Sequence, residues 1–213
     1  MNVHNLYVTQ LVESAGVWRK GHFVLTSGLH SDQYFNKDDI YPHVRLTTTL
    51  GAIIAKRFDG LGVETVVGPA LGGITLAQRV ASALCHDHWV PEVLAIYAEK
   101  IPGGGFTLGR DYAKHVTGKV VLCVEDVLTT GNSASQVIEL VRAVGGQVAG
   151  LGAICNRGQV RARDFGLELS QFKCLLELDL PTWPEADCPL CKAGAPINTE
   201  VGKGREYLLA KSD

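Results

Sequence analysis

The chain has 213 residues, 46% of them apolar and 20% charged, a globular balance that excludes intrinsic disorder and allows a sizeable core without staples. Twenty Lys and Arg against 22 Asp and Glu leave a formal charge of -2, which excludes the global positive field that drives nonspecific binding to DNA or anionic membranes. Any phosphate must be captured locally.

The longest run of apolar residues and glycine, 148–155, has eight residues, far short of the roughly 18 to 20 that span a bilayer. No cationic stretch followed by an apolar block opens the chain, so the expected address is the cytoplasm. Six cysteines are scattered, and Cys85, Cys123, Cys155 and Cys174 sit in apolar contexts where reduced thiols are common, so no disulfide framework is expected.

In chain order, residues 4–15 place His4, Val8, Leu11, Val12 and Ala15 on one helical face, with Gly16 as the stop. Residues 23–36, rich in Ser, Gly, His and Asp with aromatics between, read as a short strand and a turn. Leu46, Leu50, Ile53, Ile54 and Phe58 resume helical spacing. From residue 64 strands and helices alternate: strand 64–67, helix 74–84, strands 93–97 and 119–124, helix 137–144, strand 148–155. The strands are apolar on both faces, which predicts βαβ crossovers and a parallel sheet covered on two sides. Ligands of such sheets bind at the carboxyl ends of the strands. Residues 98–117 interrupt the alternation, with Gly103-Gly104-Gly105 and the charges Glu99, Lys100, Arg110, Asp111, Lys114 and His115. A stretch of that length without periodicity is expected to be either disordered or a functional lid, and the three consecutive glycines argue for mobility.

The strongest chemical signal is Val120-Val121-Leu122-Cys123-Val124-Glu125-Asp126-Val127-Leu128-Thr129-Thr130-Gly131-Asn132-Ser133. A buried strand ends in two acids, and a small polar loop then opens a helix. Thr129, Thr130, Gly131, Asn132 and Ser133 offer backbone N–H groups and hydroxyls at a helix N-terminus, where the dipole favours an anion. Acids just upstream would repel a phosphate, so they are expected to hold ribose hydroxyls or a magnesium-bound group. Each piece alone has a bland reading as strand end or helix cap, but two adjacent acids at the lip of an apolar strand are costly to position without partners. A second strand-to-helix turn, Gly68-Pro69-Ala70-Leu71-Gly72-Gly73, can cradle another phosphate, because glycine lets a ligand approach the backbone closely. Neither a Walker loop nor a Gly-x-Gly-x-x-Gly turn is present.

Four apolar residues, two acids, two apolar residues and Thr-Thr-Gly-x-Ser resemble the phosphoribosyl pyrophosphate motif of type I phosphoribosyltransferases. The order of aromatic segment 23–36, glycine loop, cationic lid, acid pair and strand-end Arg157 resembles the orotate-specific members over nearly the whole chain. The resemblance implies an α/β fold, a doubly wound parallel sheet with an N-terminal hood in residues 1–45, a mobile lid at 98–117 and an irregular tail at 180–213, as one domain. It also implies a cis peptide between Ala70 and Leu71 in a pyrophosphate loop that includes Gly72. Thr26, Tyr34 and Phe35 are expected on the base, together with Arg157, whose fork suits a planar carboxylate. Asp126, Glu125, Lys100 and Arg110 are the expected catalytic residues, with Mg²⁺ held mainly through the substrate and in part by Glu125 and Asp126. The implied reaction is phosphoribosyl transfer to orotate, in a homodimer whose lids close over each other's sites. The pattern departs from the orotate enzymes at Thr26 and Gly72, where lysines are common, and Lys100 and Arg110 are expected to supply that charge. The alternatives are transfer to a purine or other base, a noncatalytic sensor of phosphoribosyl pyrophosphate, and a doubly wound nucleotide-binding domain of unrelated chemistry.

The tail carries Cys188-Pro189-Leu190-Cys191. One Cys-x-x-Cys is half a zinc site, and with no second pair at a fitting spacing it is read as a structural turn, with none of the seven histidines assigned to a metal.

Overall fold

The computed structural model describes residues 3–85 and 92–211, with the side chains of residues 3–5 outside the description, so the expected place of His4 on a helical face lies beyond it. Along the chain run α1 (Val3–Glu13), β1 (Trp18–Val24), β2 (His30–Phe35), α2 (Val44–Arg57), β3 (Thr65–Pro69), α3 (Gly72–Leu84), β4 (Leu94–Lys100), β5 (Phe106–Thr107), β6 (Val120–Leu128), α4 (Asn132–Ala143), β7 (Gln147–Asn156), β8 (Phe172–Glu177), α5 (Pro189–Lys192) and α6 (Gly204–Ala210). They fall into two compact units, Met1–Thr9 with His43–Leu178, and Gln10–Pro42 with Asp179–Asp213.

The larger unit is built on a six-stranded sheet in the order β5-β4-β3-β6-β7-β8, parallel except for β5. From β3 the connections go one way to β4 and the other way to β6, so the order reverses between β3 and β6, the place where open α/β sheets bind ligands. On one face α4 buries Ala134, Val137, Ile138 and Val141 against Val67, Val121, Cys123, Leu151 and Ala153. On the other face α2 approaches β7 so closely that a Cβ at Gly152 would stand 2.7 Å from Ile54 Cγ2, and one at Gly150 2.6 Å from Phe58 Cε1. Continuous apolar strands follow directly from this two-sided cover. Burial pushes the thiols of Cys123 and Cys174 up to about 12, as expected of thiols used for packing. Strand β8 was not predicted, since Phe172-Lys173-Cys174-Leu175-Leu176-Glu177 is short and bounded by polar residues. Among the described residues no helix is long and apolar enough to cross a membrane.

The smaller unit pairs β1 and β2 as an antiparallel hairpin, Trp18 opposite Phe35 and Val24 opposite His30. The segment read as one strand and a turn is thus two strands, joined by a turn in which Leu25 N–H donates to Leu29 O at 2.8 Å. The tail is more regular than expected. It carries α5 and α6, and its backbone is bonded to both strands: His30 and Trp183 exchange two hydrogen bonds at 2.8 and 2.9 Å, and Asn198 N–H donates to His22 O at 2.7 Å. That pairing overturns the expectation that Cys188 and Cys191 have no second ligand pair in reach. Their sulfurs and ring nitrogens of His22 and His30 all lie within 4.8 Å of one another. No sequence spacing reveals this, because the partners come from opposite ends of the chain.

The turn from β3 into α3 rests on two glycines. A Cβ on Gly68 would lie 2.3 Å from Gly73 O, and one on Gly73 2.7 Å from Pro69 Cδ. Gly68→Ala is therefore expected to cost about 1–3 kcal/mol through overpacking, read from the urea unfolding midpoint of the full chain. An unchanged midpoint would show that the turn has room to spare.

Candidate active site

Because β4, β3, β6 and β7 are adjacent and parallel, their carboxyl ends share one edge of the sheet, and the structure brings most of the expected site residues to it. Lys100 ends β4, residues 70–72 follow β3, Glu125 and Asp126 lie near the end of β6, and Arg157 follows β7. Neighbouring strands stand about 4.8 Å apart, so groups at successive strand ends fall within the span of one sugar phosphate.

The acids sit differently from the prediction. Rather than following the strand, Glu125 and Asp126 lie within β6, which runs on to Leu128 because β7 keeps pairing with it: Glu125 opposite Ala153, Val127 opposite Cys155, Leu128 opposite Asn156. Both acids are buried, with only 6% and 5% of their surface exposed. Backbone amides support them locally: Asp126 N–H donates to Glu125 Oε1 at 3.0 Å and Val127 N–H to Asp126 Oδ1 at 2.6 Å. Two carboxylates in consecutive strand positions point to opposite sides of the sheet, so they address different parts of anything bound at the edge.

Past Leu128 the chain turns through exposed Thr129 and Thr130 into Gly131, whose positive φ of 75° places it as the N-cap of α4. Asn132 N–H donates to Thr130 Oγ1 at 3.3 Å. A Cβ at Gly131 would stand 2.9 Å from Phe165, so the loop lies directly on that ring, with Val160 beside it. The result is an open polar loop on an apolar floor, at a helix N-terminus suited to a phosphate. The loop after β7 is fastened to it: Leu128 O accepts N–H bonds from both Arg157 at 2.8 Å and Gly158 at 3.1 Å, and a Cβ at Gly158 would overlap Thr129 O. Asn156, which sequence reasoning did not single out, shapes this turn. Its side chain accepts from Val160 N–H at 3.2 Å and donates to Val160 O at 3.0 Å and to Glu177 Oε2 at 2.8 Å. Burial of Glu177 raises its pKa, against the lowering effect of that amide.

The peptide between Ala70 and Leu71 is cis, as expected. Ala70 N–H donates to Ala98 O at 2.9 Å, which ties the turn to β4, and Leu71 is 83% exposed at the N-cap of α3. Residues 98–117 are more structured than the sequence suggested. Their first residues continue β4, Lys100 pairs with Phe106 and Glu99 with Thr107 in a short antiparallel stem, and Ala98, Leu108 and Val116 are buried in the core. The three glycines form the tip of that stem, all with positive φ. Arg110 is exposed, at a φ of 57° that few non-glycine residues adopt, and donates through Nε to Glu99 Oε1 at 2.9 Å, an ion pair that raises its pKa.

Thr26, Tyr34 and Phe35 belong to the smaller unit. Thr26 is exposed in the hairpin turn, and Tyr34 is half-buried with its ring 5.4 Å from that of Phe23. Phe35 is buried, edge-on to Trp18 at 5.3 Å, so its ring is taken up in packing the hairpin.

Comparison with known proteins agrees with this arrangement. The family model of the phosphoribosyl transferase domain matches residues 36–185. The orotate phosphoribosyltransferase of Caldanaerobacter subterraneus subsp. tengcongensis is 37% identical over 195 residues, which cover 89% of this chain and 93% of that protein. The orotate phosphoribosyltransferase of Thermotoga maritima is 36% identical over 197 residues, covering 92% and 98%. Among solved structures, the orotate phosphoribosyltransferase of Mycobacterium tuberculosis H37Rv in complex with inorganic phosphate matches with a TM-score of 0.65 and 26% identity, over 83% of this chain and 97% of that one. The acid pair on β6, the phosphate loop behind it and the Ala70–Leu71 turn thus lie in a chain that belongs to the phosphoribosyltransferase family, and within it to the orotate phosphoribosyltransferases.

Proposed function

We propose that the chain transfers the phosphoribosyl group of phosphoribosyl pyrophosphate to orotate, forming orotidine monophosphate and pyrophosphate, a step of pyrimidine nucleotide synthesis in the cytoplasm. The observation that carries the reading is the edge itself: buried Glu125 and Asp126 between an anion-suited loop at 129–133 and the glycine turn at 70–72, on the two strands where the sheet order reverses. In this reading Thr129, Thr130, Gly131, Asn132 and Ser133 bind the 5-phosphate, the acids hold the ribose hydroxyls, and Ala70, Leu71 and Gly72 line the pyrophosphate. Arg157 meets the orotate carboxylate, and within the smaller unit Phe35 packs the hairpin that carries Thr26 and Tyr34.

The bond from the ribose to pyrophosphate breaks as the bond to the base nitrogen forms, through an oxocarbenium-like transition state. Positive charge grows on the sugar beside Glu125 and Asp126, and negative charge grows on the leaving group. The acids are fixed by burial and by backbone amides, so they need no reorganisation as that charge develops. Lys100 and Arg110 supply cations to the pyrophosphate in place of the missing lysine at Gly72, and the lid excludes water. The chemistry fits Mg²⁺ held mainly through the substrate, since whichever of Glu125 and Asp126 faces the ion would offer it a hard carboxylate oxygen beside a phosphate loop. When bound, that ion neutralises charge on the pyrophosphate. The working form is a homodimer, each lid serving the partner's site.

The test is pyrophosphate release from phosphoribosyl pyrophosphate with orotate, uracil, hypoxanthine, xanthine and guanine in parallel. Orotate alone should support turnover, and a preference for a purine would replace the reading with a purine transferase. Asp126→Asn should lower kcat about 10²-fold with little change in substrate affinity, because an amide cannot match the field of a carboxylate where charge develops. Near-normal turnover in that variant would remove Asp126 from the mechanism. Arg157→Ala should raise the KM for orotate by about 10- to 100-fold, the equivalent of a lost charge-assisted hydrogen bond of roughly 1.5–3 kcal/mol, and leave that for phosphoribosyl pyrophosphate nearly unchanged. Equal increases in both constants would place Arg157 on the phosphate side.

A further inference from the structure

We propose that His22, His30, Cys188 and Cys191 bind one zinc ion, a structural site that joins the N-terminal hairpin to the C-terminal tail within the smaller unit.

Four ligand atoms converge. His22 Nε2 lies 3.6 Å from both Cys188 Sγ and Cys191 Sγ, His30 Nδ1 lies 3.3 Å from Cys191 Sγ, and the two ring nitrogens are 2.8 Å apart. A tetrahedral zinc ion with Zn–S near 2.3 Å and Zn–N of about 2.0–2.1 Å needs ligand-to-ligand edges of roughly 3.3 to 3.8 Å. Three of these distances already meet that requirement. The fourth is a hydrogen-bond length, and the imidazoles need to part by about half an ångström for the metal to enter.

The tautomers suit the same geometry. His22 Nδ1 lies 2.9 Å from Ala195 O, a carbonyl that can only accept, so Nδ1 carries the proton and the lone pair of Nε2 faces the cluster. An outer hydrogen bond to a backbone carbonyl is the usual way to orient a ligating histidine. Without metal, His30 Nδ1–H donates to that lone pair. On binding, its proton moves to Nε2, which is buried with no hydrogen-bond partner among the described residues. Two thiol protons leave to solvent as the thiolates take the zinc.

The backbone holds the four residues in place independently of their side chains. The register of the hairpin slips between Lys20 and Phe23, and His22 lies in that irregularity, a device that re-aims side chains. His22 and Phe23 are consequently buried in succession. His30 is fixed by its paired bonds to Trp183. Cys188 is the N-cap of α5, a single turn that returns Cys191 to the same side, and Gly194 N–H donates to Cys191 O at 3.0 Å. His22 and His30 are 3% and 0% exposed and Cys188 0%, so the site is closed to water on three of its four ligands. Four protein ligands with no open position make a structural site rather than a catalytic one. Two thiolates with two imidazoles select zinc over the hard ions magnesium and calcium.

The test uses the full chain without a polyhistidine tag, expressed with zinc in the medium and purified under reducing conditions without chelators. Elemental analysis should find about one zinc per chain, and Cys191→Ser combined with His30→Asn should lower it at least tenfold. Because that variant could lose its fold, the deciding measurement is on the wild-type chain: cobalt exchanged into the site should give the intense visible bands of tetrahedral Co²⁺ and thiolate-to-cobalt charge transfer. Background zinc in wild-type protein after incubation with equimolar zinc and gel filtration would overturn the proposal. An octahedral cobalt spectrum, or a Cys188–Cys191 disulfide found by mass spectrometry, would overturn it equally. None of these readouts depends on transferase activity.

Discussion

The candidate site depends on one stretch of backbone pairing, the parallel ladder in which Thr65, Val66 and Val67 of β3 face Val121, Leu122 and Cys123 of β6. It sets the two phosphate-suited turns side by side, because each strand leads straight into its own helix at the same edge. The ladder also stops early. Beyond Cys123 the β3–β6 pairing ends while β6 runs on beside β7 to Leu128, so Glu125 and Asp126 lie past the last β3 partner.

This explains why local chemistry was readable and the placement of the acids was not. A buried strand, two acids and a Thr-Thr-Gly-x-Ser loop are contiguous, so spacing alone carries their association. Whether a strand ends before or after its acids is decided by its neighbour, and β7 extends β6 by four residues past the predicted end at Val124. The same reason applies to residues 98–117. Their sequence has no period, yet Lys100 and Phe106 are paired because β4 runs on and offers an edge.

The hairpin and tail mark the opposite limit. Nothing in the spacing of His22 and His30 resembles a metal-binding pattern, and Cys188 and Cys191 are more than 150 residues away. What unites them is a register slip and the backbone bonds that tie the tail to both strands, two between Trp183 and His30 of β2 and one from Asn198 to His22 of β1. Phe35 shows the same limit for a single residue. Its aromatic character suggested a surface over the base, but its strand parity turns the ring inward onto Trp18.

Leu128 O accepts from both Arg157 and Gly158, so the loop that follows β6 and the loop that follows β7 share an atom. Neither can shift far without drawing on the same carbonyl. A ligand that stiffens the first loop removes freedom from the second, and a ligand on the second meets a partner already ordered. Thermodynamic linkage makes such an effect symmetric: the factor by which one occupant tightens the binding of the other is the factor returned in the opposite direction. Two half-sites that contact different chemical groups can in this way behave as one cooperative unit, with a single peptide oxygen as the hinge between them.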